Sequence, residues 1–409
     1  PFGSQLHQSD YVEQGIPVVM PQDIDDRKVN YVAINYVANK DAIRLERYKT
    51  ITNDILYARR GDVEKHAFIG RKDSGALCGT GCLRVRITTP EVEPEFVSFF
   101  LNKKETRKWL VTHAVGTNMP NLNTDILSEV PIAYPLIGEQ RKMVRVLNSL
   151  DRKIAINSAI NDNLEQQAKL LYDYWFTQFD FPDESGKPYR SSGGKMVWNE
   201  QLKMEIPFSW VCSKMENAIE AVRTGLNPRN NFKLGNGNIQ YITVKNLCLN
   251  GSLDFSGCDT IDEQARQIIH RRSDIQIDDI LFASIAPLGR CYLIQENPTN
   301  WDINESVFSI RYNSSVLTAE YLYMNLQSEA FVKRATACST GSIFKGIRIN
   351  SLMDSEIILP PLSVTKEFSK EIKPLFALQK ELDREAHTLI QLRDWLLPVL
   401  MNGQATISD

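Results

Sequence analysis

Between Glu139 and Phe176 the apolar positions fall at alternating steps of three and four, with no Gly or Pro to interrupt them. Leu147, Leu150, Ile154, Asn157, Asn161, Leu164, Ala168, Leu171 and Trp175 mark the seam. That period is a heptad, so the stretch predicts one long helix, roughly 57 Å at 1.5 Å per residue. The pattern recurs from Thr365 to Leu400 through Phe368, Ile372, Leu375, Gln379, Leu382, Ala386, Leu389, Arg393, Leu396 and Leu400. Adding 225 to each position of the first seam, beginning at Leu147, lands on the second. A seam this long needs a partner, and the other seam supplies it. The polar breaks are staggered in this register: Asn157 and Asn161 answer Leu382 and Ala386, while Gln379 and Arg393 answer Ile154 and Ala168. Such layers are expected to fix register and orientation more than strength.

Ahead of each seam the pattern changes to short β-like runs with Gly, Asn and Asp turns. Residues 1–135 predict strands at Ile16 to Met20, Asp54 to Ala58 and Lys65 to Ile69, then one helix from Pro94 to Leu110 and a loop from Gly116 to Asn121. Residues 207–362 repeat the plan: Ile239 to Thr243, Asp279 to Ala283, Gly289 to Ile294, a helix from Thr318 to Ala335, and a loop from Ser339 to Gly346. This is the duplication of a whole domain, not a solenoid. The expected division is a first domain at 1–135, a first helix at 136–178, a linker at 179–206, a second domain at 207–362 and a second helix at 363–403. Pro, Gly and Ser dominate the middle of the linker, which need not pack, with Phe181 and Trp198 pinning its ends. The second domain has a longer stretch before its first matched strand, Pro207 to Gly237. By analogy, about 17 or more residues are expected to precede Pro1 in the native protein.

Composition narrows the class. With 409 residues, 43% apolar and 24% charged, the chain has room for two or three domains. No run of eighteen apolar residues predicts a membrane helix, and no signal peptide opens the chain. Seven scattered Cys point to a reducing cytoplasm. Cys78 and Cys82 lack a second pair or a nearby His, so no metal site is expected. Net charge is 47 minus 50, or −3. Residues 1–135 hold 17 basic and 17 acidic groups, and residues 191–362 hold 16 and 18. A nucleic-acid binder of this composition must gather its cations on one face.

Catalytic signatures are lacking. Lys195 has no Walker loop around it, no GxGxxG follows a strand, and Asn227-Pro228 and Asn297-Pro298 lack the aromatic step of an amino-methyltransferase. The five His stand far apart. Asp278-Asp279 is expected to be a solvated strand entry, because neighbours on a strand face opposite ways. The loops are richer. Ser339, Thr340, Ser342, Lys345 and Arg348 combine hydroxyls and cations suited to phosphates and guanine edges. Thr117, Asn118 and Asn121 hold the matching place, and Asn suits adenine. Arg59, Arg60, Arg71, Lys72, Arg271 and Arg290 complete the candidate DNA-contacting set. Taken singly, each reads first as a solvated surface cation; matched loops at equivalent places of a repeat shift the reading towards function.

Taken together, the residues resemble the specificity subunit of type I restriction–modification enzymes. The resemblance is carried by Gly15-Ile16-Pro17 to Asp23-Ile24, by the Asp-Ile-Leu-Tyr/Phe-Ala strand of both halves, and by Pro135 to Arg141 opening the first helix. Gly186 to Tyr189 and Met196 to Asn199 add to it. Val364-Thr365-Lys366 departs from the Gly-Glu-Gln expected at the second helix and leaves its start open. The implied fold is α+β: two similar α/β target-recognition domains separated by two long antiparallel helices forming an intramolecular coiled coil. The implied function is to recognise a bipartite double-stranded DNA site with a fixed spacer. The same resemblance implies docking of two methyltransferase subunits, which bind S-adenosylmethionine and methylate adenine, and of restriction subunits that use ATP and Mg. No cofactor and no catalytic residue is then expected in this chain. Two other readings stand beside it: the DNA-reading part of a single-chain restriction and methylation enzyme, and a coiled-coil adaptor for proteins.

Overall fold

The computed structural model describes residues 6–116, 120–337 and 346–407. The chain forms two compact units, one of Pro1–Asn157 with Arg384–Asp409, the other of Ser158–Asp383.

In the first unit, strand Ile16–Val19 lies between Asn35–Val37, antiparallel, and Leu77–Cys78, parallel. Strand Ile55–Ala58 is the centre of a second sheet, flanked antiparallel by His66–Phe68 and Cys82–Val85. All four of its residues are buried, as a run without polar alternation requires. The helix expected at Pro94 to Leu110 is instead two, Pro94–Leu101 and Lys104–His113. Lys103, extended at φ −60° and ψ 142°, breaks it. The break lets the apolar cluster Phe96–Leu101 stay buried while the more polar second helix turns away from it.

The second unit repeats the sheet centred on Ile55–Ala58, and the helix break after it, residue for residue. Ile55 pairs with Val85 and Phe68; Ile280, 225 positions later, pairs with Ile310 and Leu293. Its helices Ala319–Gln327 and Glu329–Ala337 break at Ser328, which is 225 after Lys103. A further strand, Ile219–Thr224, pairs with Val307–Tyr312.

One polar feature is also duplicated. Buried Asp54 takes a two-pronged bond from Arg86 at 2.7 and 2.8 Å, and the Ile51 N–H donates to it at 2.9 Å. Buried Asp279 takes the same from Arg311 at 2.8 and 2.8 Å, and from the Gln276 N–H at 3.0 Å. The expected solvated entry at Asp278-Asp279 is therefore corrected: Asp279 is a paired buried charge that locks one strand to its neighbour. A lone buried carboxylate would be severely penalised, and the guanidinium fork supplies what water would have given.

The stretch Phe179 to Glu205 also differs from expectation. It is folded, with hairpin Met196–Asn199 to Met204–Pro207. Phe181 is buried, stacked between Tyr189 and Trp210, whereas Trp198 is 54% exposed and pins nothing.

The first long helix runs Ile137–Tyr172 and continues as a π-turn, Asp173–Thr177, which turns both Trp175 and Phe176 inward. The second runs Leu362–Met401, through Pro374 and Pro398. In the first unit the two are antiparallel: Arg393 reaches Asp151 at 3.2 Å, and Asn157 Nδ2 donates to Glu385 at 2.7 Å. Leu147, Leu397 and Leu400 close that end against Phe96, Phe99 and Phe100. In the second unit Asn161 Nδ2 donates to Asp383 at 2.6 Å, and Ala168, Tyr172 and Trp175 pack with Phe368 and Ile372. Leu150, Ile154, Leu164, Leu171, Leu375, Leu382, Leu389 and Leu396 all lie on the less exposed side. The staggered polar layers are corrected, because antiparallel pairing brings polar to polar: Gln379 donates to the Asn161 carbonyl at 3.4 Å, not to a layer with Ile154.

Arg27 fastens the first sheet structure to its helix. Its guanidinium lies 3.4 Å over the Phe99 ring, donates to Ser98 Oγ at 3.0 Å and pairs with Asp151 at 2.9 Å. Among the described residues no helix is long and apolar enough to cross a membrane.

Candidate nucleic-acid interface

In the first unit the buried strand Ile55–Ala58 delivers the chain to the surface at Arg59 and Arg60. Leu122 N–H donates to the Arg59 carbonyl at 2.9 Å, and Val115 and Asn121 exchange two backbone bonds at 3.0 Å each. These close the 115–121 loop beside the strand end. Arg59 Nε donates to Asn121 Oδ1 at 3.3 Å, and Arg60 bridges Asn121 through the backbone with its side chain exposed. Three candidates thus form one cluster. Thr117 and Asn118 lie outside the described residues. Arg71 and Lys72 sit apart, on the turn Arg71–Asp73, where Lys72 Nζ stands 6.0 Å from the Tyr31 ring.

The second unit closes its loop in the same way. Ile347 N–H donates to the Ser284 carbonyl at 2.8 Å, and Ile285 bridges Gly346. Ser284 follows Arg59 by 225, and Gly346 follows Asn121 by 225. A Cβ on Gly346 would come within 2.9 Å of the Ser284 carbonyl oxygen, so this closure is tighter than that at Asn121. Arg348 is exposed at the start of helix Ile349–Met353. Arg290 is half-buried, and its Nε finds no partner among the described residues. Ser339, Thr340, Ser342 and Lys345 lie outside the described residues.

Residues 17–166 match the family model of the type I restriction modification DNA specificity domain. Over that stretch the chain is similar to the DNA specificity domain of type I restriction modification enzymes. It is 24% identical to the MjaIX specificity subunit of Methanocaldococcus jannaschii, over 78% of this chain and 70% of that one. With the HindI specificity subunit of Haemophilus influenzae it shares 20%, over 86% of each. Its fold is similar to that of a type I S subunit from M. genitalium, with a TM-score of 0.55 at 14% identity, covering 97% of this chain and 91% of the other.

Arg271, the remaining candidate, is not at the repeated loop. It stands on helix Glu263–Ser273, where Arg223, Arg266, Gln267, His270 and Asp274 join it around a cavity of about 470 Å³. His270 Nδ1–H donates to Asp302 at 3.1 Å, which leaves Nε2 as its other polar atom. Asp302 is fully buried; Ser273 Oγ–H donates to it at 2.6 Å and the Ile303 N–H at 2.9 Å. Burial pushes the Asp302 carboxyl up, and these donors oppose the shift. Sequence reasoning missed Arg223, Arg266 and His270. Arg266 and His270, four apart, lie one above the other on the helix, as do Gln267 and Arg271, and that spacing was the available signal; Arg223 and Asp302 arrive from distant strands.

Proposed function

We propose that this chain is the DNA-specificity subunit of a type I restriction–modification complex, in which each unit reads one half of a bipartite site. The observation that supports this is a shared frame with exchanged contents. Strand register and loop closure repeat at a constant offset of 225, yet Arg59, Arg60 and Asn121 in one copy face Ser284, Ile285 and Gly346 in the other. Arg forks suit guanine and Asn suits adenine, while Ser, Ile and Gly offer neither pattern. Two such ends present different chemistry to two different half-sites. In this reading the chain does no chemistry of its own. Methyltransferase subunits carry S-adenosylmethionine, restriction subunits carry ATP and Mg, and all work in the cytoplasm.

The test replaces Arg60 and Asn121 by Ala in the assembled methyltransferase and maps methylated sites by sequencing. Methylation is expected to relax at one half of the recognised sequence, by about 1–3 kcal/mol for each lost paired contact, with the other half untouched. Equal loss at both halves, or an unaltered sequence, rejects the assignment.

A further inference from the structure

The cavity on helix Glu263–Ser273 serves neither the loops nor the helix seam. Its lining carries three guanidiniums, Arg223, Arg266 and Arg271, against one carboxylate, Asp274. That carboxylate is already engaged, by Arg223 and by Arg311 at 3.0 Å. Arg266 is braced by the Pro298 carbonyl at 3.0 Å, and Glu263 lies 3.6 Å from it. His270 is held by a buried three-donor carboxylate, Asp302, so its ring orientation is set by groups that do not move with solvent. Arg271, exposed and with no ion pair among the described residues, adds an uncompensated charge beside these held guanidiniums, a donor set that suits a tetrahedral oxyanion.

Among the described residues the first unit does not repeat this set. Here the copies align at an offset of 224, since the helix caps are Ala38 and Asp262 and strand partners Val37 and Ile261 match; Arg266, His270 and Arg271 then fall on Ala42, Glu46 and Arg47, and buried Leu77 takes the place of Asp302. Arg271 keeps a cation at its counterpart, but Arg266, His270 and the buried carboxylate that holds it are replaced by Ala, Glu and Leu.

Resting on the DNA-reading function above, we propose that this cavity binds a backbone phosphate of the DNA held by the second unit, and that the backbone grip is therefore unequal between the two half-sites. Phosphate contacts position a protein without reading sequence, and each displaces counterions, so each steepens the dependence of affinity on salt.

The test uses the complex with its methyltransferase partners and measures duplex affinity by fluorescence anisotropy between 50 and 200 mM salt. Arg271→Ala is the main variant, since Arg271 is exposed; His270→Gln and Arg271→Lys accompany it. Loss of one phosphate contact lowers the slope of log affinity against log salt by about 0.9, so the affinity lost over this range shrinks by roughly 3.5-fold. The proposal expects that change for Arg271→Ala and partial recovery for Arg271→Lys. It also expects equal weakening on matched and mismatched duplexes, with the methylated sequence unaltered. An unchanged slope in both Arg271→Ala and His270→Gln overturns it. So does a change in sequence preference at one half-site, which would make the cavity a base reader. If the parent complex itself fails to bind duplex DNA, the DNA-reading function falls first, and the two failures are told apart.

Discussion

His66 shows how much one buried side chain decides. It is fully buried, stacked on Tyr57 at 5.2 Å, with Nε2 against the Ser98 carbonyl at 3.0 Å. A carbonyl only accepts, so Nε2 carries the proton. Burial, with Arg27 nearby, pushes its pKa down to about 3. The folded chain therefore refuses a proton that the unfolded chain accepts below about 6.5. Stability is full above that pH and falls on acidification, by about 1.4 kcal/mol per pH unit until about pH 3. In urea titrations across this range, His66→Phe is expected to give a shallower acid slope than the parent; equal slopes would refute the claim. The corresponding residue of the second unit is Cys291, also buried, which has no such proton to lose in acid. Both positions looked like ordinary strand residues in the sequence, since nothing near His66 in the chain announces Ser98 or Arg27.

At the level of elements, the seams were plain because a heptad needs only the order of polar and apolar residues. The repeat was plain for the same reason. What escaped were features whose partners are far apart in the chain. Asp279 looked solvated because Arg311 lies 32 residues further on, as Arg86 does from Asp54. The cavity needed Arg223, Arg271 and Asp302 from three separate elements. The polar seam positions were misplaced because a constant offset describes the repeat, whereas contact follows antiparallel order. The two long helices also carry an expectation of their own. Both pass from one unit into the other, so their length is proposed to set the gap in the DNA site. Deleting one heptad from each at matching heights removes about 10 Å of helix. Methylation mapping should then show the gap shorter by roughly three base pairs with both half-sites intact. A gap of the original length would dismiss the helices as its determinant.

For the whole molecule, charge is the guide. With 47 basic against 50 acidic residues, the chain has little general attraction for a polyanion. Alone it is expected to bind its duplex weakly and to lose binding steeply with salt, gaining affinity when partner subunits join. Anisotropy with and without the methyltransferase subunits measures this, and nanomolar binding by the isolated chain at physiological salt would contradict it.

The division of the chain has a consequence for synthesis. The second unit is one uninterrupted stretch, whereas Phe96, Phe99 and Phe100 of the first are covered by Leu397, Leu400 and Met401. About 300 residues separate the two sides of that contact, so at ribosomal speed these phenylalanines wait roughly 15 to 60 s for their cover. The half made first is thus finished only after the second, and a nascent chain must shelter its aromatic face until Leu397 to Met401 have left the ribosome.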